Sequence, residues 1–181
     1  MILTDVEKRS LINIAKTTIE CKLTGRDIPE VHVESEVLKQ KSGAFVTLKK
    51  HGRLRGCIGY IEARKPLYKT VAEMAAAAAF NDPRFPPLKP DELTHINLEI
   101  SVLSPLKEIK DIREIKVGVH GLYITKGYHS GLLLPQVAME YKWDSLTFLE
   151  ETCYKAGLRP DAWKDKDTKI YIFSADVFVQ Y

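Results

Sequence analysis

Two strand-like runs facing each other across a tight turn constrain this chain more than any other segment. Gly43-Ala44-Phe45-Val46-Thr47-Leu48-Lys49 precedes Lys50-His51-Gly52-Arg53, and the return run covers 54–61. A glycine and polar residues between two β-rich runs predict a hairpin, and hence an antiparallel pair. Further strands are expected at 96–102, where Ile96, Leu98, Ile100 and Val102 alternate with polar residues, and at 170–173 and 177–179. Two short strands are expected around His120-Gly121, and a turn at Tyr128-His129-Ser130-Gly131.

Helical signals are interspersed among these. Thr4-Asp5-Val6-Glu7 fits a capping box, and Leu11, Ile14, Ala15, Thr18 and Ile19 recur at helical spacing, predicting a helix over 5–23 stopped by Gly25. Pro66 opens a second helix that runs to about Phe80. A third covers 144–156, with Leu146, Leu149 and Cys153 on one face and Gly157 beyond its end. Residues 26–36 read as loop, Asn81 to Pro87 as a stiff turn-rich loop, and Pro90-Asp91-Glu92-Leu93 as one helical turn. Strands and helices mix without regular βαβ alternation. The expected fold is therefore α+β, with mixed, largely antiparallel sheets and flanking helices.

Length and charge narrow the class. A chain of 181 residues is expected to form one domain, 1–181, and can bury a core without disulfides or metal. The net charge of +3 permits an anionic ligand, but a dedicated nucleic-acid binder carries a stronger, more clustered excess. Cys21, Cys57 and Cys153 form no CxxC pair, which points to a reducing compartment. With no signal-peptide pattern and no run approaching the ~20 apolar residues of a membrane span, the expected location is cytoplasmic, with no membrane partner.

The segment that concentrates chemistry is Arg55-Gly56-Cys57-Ile58-Gly59. Strict alternation puts Arg55, Cys57 and Gly59 on one face of the strand, Gly56 on the other. An arginine beside a thiol favours the thiolate, and Gly59 leaves room beside the sulfur. The competing reading is a packed cysteine with glycines that mark a bulge or close packing.

Other groups complete the candidate set. Asp82 and Arg84 flank Pro83 and form either a carboxylate–guanidinium anion clamp or an internal ion pair that fixes the loop. Glu99 shares a strand face with Ser101 and is either a general base or the neutralising partner of Arg55 or Arg84. His120 is the histidine best suited to pair with Cys57. Lys49, Lys50, His51, Arg53 and Arg55 form a basic patch that reads as a phosphate grip or as a solvated turn. Tyr141, Trp143 and Phe148 read as core or lobe-interface aromatics. No metal-ligand spacing, Walker motif or dinucleotide motif is present, so no cofactor is indicated.

Together these residues resemble a known family. Phe45-Val46-Thr47-Leu48-Lys49-Lys50 followed by Leu54-Arg55-Gly56-Cys57-Ile58-Gly59 is similar to the signature of the AMMECR domain family, the A component of the AmmeMemoRadiSam system. The resemblance continues in the run from Phe80 to Leu88, in Leu98 to Leu103, in His120-Gly121-Leu122, in Leu134-Pro135-Gln136-Val137-Ala138 and in Trp143-Asp144. Tyr60 departs from the threonine common at its place, and the chain also departs near Ser130-Gly131. The resemblance implies an α+β fold of two lobes around a cleft, the larger lobe N-terminal and the smaller drawn mainly from the second half. It implies Memo-like and radical-SAM proteins as partners. It implies no activity, since the family is described as of unknown function.

Two functional classes follow. In the first, the chain is an enzyme or enzyme component with Cys57 as nucleophile or tether. Glu99 or His120 would move protons, and Arg55, Gly56, Gly59, Asp82 and Arg84 would line an anion-binding site. In the second it is a non-catalytic module for a nucleotide, nucleic acid or peptide, or an accessory subunit of a radical-SAM partner.

Overall fold

The computed structural model describes residues 3–180. They form two compact units. The first comprises the described residues up to Leu103 together with those from Asp176, and the second is Ser104–Ala175.

The first unit opens with α1 (Asp5–Thr24), whose start is the expected capping box. Thr4 takes the Glu7 backbone N–H while the Glu7 carboxylate takes that of Thr4. Its end is Gly25, left-handed at φ 66°. A single turn, α2 (Glu36–Lys39), lies in the stretch next to the expected loop and is capped by Ser35. The hairpin strands β1 (Ala44–Lys50) and β2 (Arg53–Tyr60) follow, then α3 (Leu67–Phe80), a 3₁₀ turn at Pro90–His95, and β3 (Ile96–Leu103). The four-stranded sheet has the order β2-β1-β3-β8, its last member β8 (Ala175–Val179) supplied by the end of the chain. Val46 and Leu48 of β1 and Leu98, Ile100 and Val102 of β3 project from one face into a core shared with Leu11, Ala15 and Ile19 of α1 and Val71, Ala75 and Ala78 of α3. Gly56 makes this packing possible. A Cβ there would collide with the Ala78 carbonyl oxygen.

The hairpin is closed by His51 and Gly52, both with positive φ (51° and 78°), the left-handed pair of a type I′ turn. Lys50 opposes Arg53 and Lys49 opposes Leu54, but Leu48 opposes Gly56. Arg55 is thus an extra residue, a β-bulge. Beyond it Thr47 opposes Cys57 and Phe45 opposes Gly59. Without the bulge Cys57 would lie across from Val46 and face the helices; with it, Cys57 shares the opposite face with Thr47.

The second unit contains β4 (Lys107–Ile109), β5 (Gly121–Lys126), β6 (His129–Leu133), α4 (Pro135–Glu140), α5 (Ser145–Lys155) and β7 (Lys169–Phe173). Its sheet has the order β4-β7-β5-β6, with antiparallel pairings throughout. Leu122, Ile124, Phe148, Leu149, Cys153, Ile170 and Ile172 form its core. The 117–125 region holds one strand rather than two, because residues before Gly121 fold into a turn. The expected turn at 128–131 shifts to Gly127, whose φ of 57° reverses the chain, and His129 to Gly131 belong to β6. On α5 Leu146 is exposed, and Phe148 takes the core position beside Leu149 and Cys153. Tyr141 is likewise exposed, stacked on Trp143 with ring centroids 4.9 Å apart.

Candidate functional site

Cys57 lies on β2, the end strand of the first sheet, and is half-buried. Its sulfur accepts a hydrogen bond from the Thr47 hydroxyl at 3.2 Å. On the far side of Thr47 stands Glu99 of β3, so Cys57, Thr47 and Glu99 form one row across three strands.

Being at the end of the sheet, Cys57 turns its backbone N–H and C=O away from β1, and the Asn81–Pro87 loop takes both. Asp82 Oδ2 accepts the Cys57 N–H at 2.9 Å. Arg84 Nη2 donates to the Cys57 carbonyl at 3.0 Å. The two side chains are themselves bridged, Arg84 Nε to Oδ1 at 3.0 Å and Nη2 to Oδ2 at 2.7 Å. Arg84, together with the backbone N–H groups of Cys57 and Arg84, holds the buried Asp82 carboxyl well below the usual carboxylate range. The Asp82 carboxylate raises the Arg84 pKa in turn. Of the two readings of this pair from sequence, the structure shows the internal ion pair that fixes the loop, and the Arg84 side chain is 53% exposed.

Arg55 is not where alternation puts it. Bulged out of register, its guanidinium is buried and gripped by Glu92 through Nε to Oε1 at 3.1 Å and Nη2 to Oε2 at 2.8 Å. Lys50 Nζ reaches the same carboxylate at 2.9 Å. Arg55 first, then Lys50, lower the Glu92 pKa to about 2. Arg55 is thus a fastener between the hairpin and the 3₁₀ turn, and the cation at Cys57 is Arg84. The expectation that Arg55 and Cys57 share a face fails because an extra residue inverts the alternation. The room expected beside the sulfur at Gly59 is filled as well. A Cβ at Gly59 would meet the ring of Phe45 and the Ala44 carbonyl, so this glycine makes way for an aromatic neighbour.

Glu99 and Ser101 share a strand face, as their spacing requires, but Glu99 is paired with Lys49 at 2.8 Å rather than with an arginine. The basic patch accordingly has Lys49 on Glu99 and Lys50 and Arg55 on Glu92. His51 instead lies beside His95, ring centroids 5.0 Å apart, a neighbour no local pattern announces. His120 belongs to the second unit, where its Nδ1 accepts the Lys116 N–H at 3.2 Å. That bond leaves the remaining proton of a neutral ring on Nε2, so the free nitrogen is a donor.

Thr47 is the participant that sequence reasoning missed. Counting back from the two-residue turn puts Gly56 opposite Thr47; only the bulge puts Cys57 there. Among the described residues no cluster of three or more His, Cys, Asp or Glu could hold a metal ion, and no helix is long and apolar enough to cross a membrane.

Comparisons with known proteins agree with this architecture. A crystal structure of an uncharacterized protein from Pyrococcus horikoshii superimposes with a TM-score of 0.87 at 42% identity, covering 94% of this chain and 89% of that one. A Methanothermobacter thermautotrophicus protein is 46% identical over 95% of this chain and 93% of its own length. A Saccharolobus islandicus protein is 50% identical over 94% of this chain and 80% of its own. The AMMECR1 family model matches residues 12–178, nearly the whole chain, and the protein belongs to the AMMECR1 family.

Proposed function

We propose that this protein is a thiol-dependent enzyme or enzyme component in which Cys57 acts as nucleophile or covalent tether and Arg84 orients an anionic group. The observation that carries the reading is the geometry at the sulfur: Thr47 donates to Sγ, and the Asp82–Arg84 pair clamps the same residue's backbone on the other side. A nucleophile held by its own main chain loses little entropy on reacting, which is the basis of orientation effects in catalysis. Asp82 cancels most of the net charge of Arg84. What Arg84 offers a ligand is therefore the donor fork of a half-exposed guanidinium rather than a bare cation. Glu99, in the same row and paired with Lys49, is the acid–base group of this face.

The test is iodoacetamide alkylation of the native protein across pH, with modified sites located by mass spectrometry. Cys21 and Cys153 are internal controls. Both are buried, and burial pushes the Cys153 thiol upward. Cys57 is expected to alkylate at least tenfold faster than either, and Thr47→Val to slow it selectively. A Cys57 no faster than Cys153 would overturn the thiol reading and leave the face as a binding surface.

A further inference from the structure

Outside the thiol site, the first unit carries a trough between α1 and α3 of about 880 Å³. Its wall on α3 is formed by Lys69, Ala72, Glu73, Ala76 and Ala77, spaced i, i+3, i+4, i+7 and i+8, so they make one face of the helix. The opposite face, with Leu67, Val71, Ala75 and Ala78, is already spent on the core. An amphipathic surface helix would put charged residues on the outer side. This helix interleaves Lys69 and Glu73 there with Ala72, Ala77 and the buried Ala76.

Charge surrounds the alanines. Lys22 of α1 and Lys69 of α3, on the two walls, have no carboxylate partner among the described residues, whereas Lys65 is held by Glu73 and Arg64 by Glu62. The lining includes Glu73 as its sole carboxylate against Lys22, Arg64, Lys65 and Lys69, so the trough is electropositive. From Lys69 to Asn81, the residue that follows α3, the lining advances about 18 Å along the helix axis. Dividing the volume by that length gives a cross-section of about 49 Å². That is about three-fifths of the ~80 Å² of an α-helix 10 Å across, so a helix seated there is partly embedded.

From the apolar floor, this cross-section and the cations without a carboxylate partner on both walls, of which Lys69 lies over the Tyr68 ring at 5.8 Å, we infer that the trough is a docking site for an acidic amphipathic helix of a partner protein. Such a helix lays small or aliphatic residues on Ala72, Ala76 and Ala77, which allow close approach of its backbone. Its glutamates or aspartates meet Lys22 and Lys69. This is helix-in-groove recognition, with charge setting the choice of partner. It uses none of the residues around Cys57 and stands whether or not that thiol reacts.

The test uses the full chain and two fluorescein-labelled, amidated 14-residue peptides. Both have leucine and alanine at i, i+3, i+4 and i+7; one is flanked by glutamates, its twin by lysines. Anisotropy is expected to show the glutamate peptide binding at least tenfold more tightly than the twin and weakening several-fold between 50 and 500 mM salt. The double variant Lys22→Glu/Lys69→Glu should weaken it at least tenfold. Ala72→Gln, a good helix former placed on the trough floor, should do likewise with an unchanged circular dichroism spectrum. Amide chemical shifts should move along α1 near Lys22 and along α3. Equal binding of both peptides, binding of neither, or shifts that map elsewhere would overturn the inference. Dodecyl phosphate perturbing these amides while the glutamate peptide does not would replace it with an anionic-lipid site.

Discussion

At the hairpin tip a single residue carries a cost that chemistry can remove. His51 stands at φ 51° in a turn whose two central positions are both left-handed. A residue with a Cβ other than asparagine or aspartate is disfavoured there by roughly 1 kcal/mol, and Asn-Gly is the favoured pair for such turns. His51→Asn is expected to raise stability by about 0.5 kcal/mol or more, read as a higher urea midpoint with an unchanged slope. Two carboxylates act in the other direction as pH changes. Asp82 and Glu92 both have folded-state pKa values below their unfolded values of about 4. Each therefore contributes stability that is fully present above about pH 5 and is lost as pH falls through the folded value, about 2 for Glu92. Urea titrations from pH 6 to pH 2 should show a steep acid limb that Asp82→Asn and Glu92→Gln each flatten. An acid limb of unchanged slope in both variants would show that neither pair is coupled to folding.

At the scale of elements, legibility followed whether a signal was local. The start of α1 could be read because Thr4 and Glu7 satisfy each other within one turn, and its end because Gly25 is left-handed. The alternation of Ile96 to Val102 could be read because β3 is unbroken and one face is buried. The bulge could not be read. Nothing in Leu54-Arg55-Gly56 says that Arg55 steps out of register, since the cause is tertiary: Glu92, 37 residues away, grips the guanidinium. From that one omission came the misplaced Arg55 and the missed Thr47. The capping of Cys57 by Asp82 and Arg84 was half-legible. Their place in a stiff loop was visible, but the strand they clamp was not. Short pieces such as α2 and α4 escaped because four to six residues hold too little periodicity to register. Leu146 was misassigned because Phe148 and Leu149 define the buried face of α5 more strongly than a spacing of three and seven.

For the whole molecule, two separate hydrophobic clusters, one in each unit, imply two centres of stability. Phe148, fully buried in the second, should cost about 3–5 kcal/mol when cut to alanine. Hydrogen exchange should then accelerate first among Ser104–Ala175, with the amides of β1 and β3 less affected; uniform acceleration of both units would show a single cooperative block. The clamp on Cys57 also bears on how copies of the chain behave at high concentration. A strand with nothing on its outer side presents a row of unmet backbone groups, a template on which another chain can polymerise. At the middle of β2 the acceptor and donor that a foreign strand would supply are already provided by Asp82 and Arg84. Arg84→Ala and Asp82→Ala should therefore raise the sedimentation coefficient with concentration, and a β-strand peptide copied from residues 53–60 should compete with that association. The loop next to the thiol is in this sense a gatekeeper of solubility, standing where a neighbouring strand would otherwise grow.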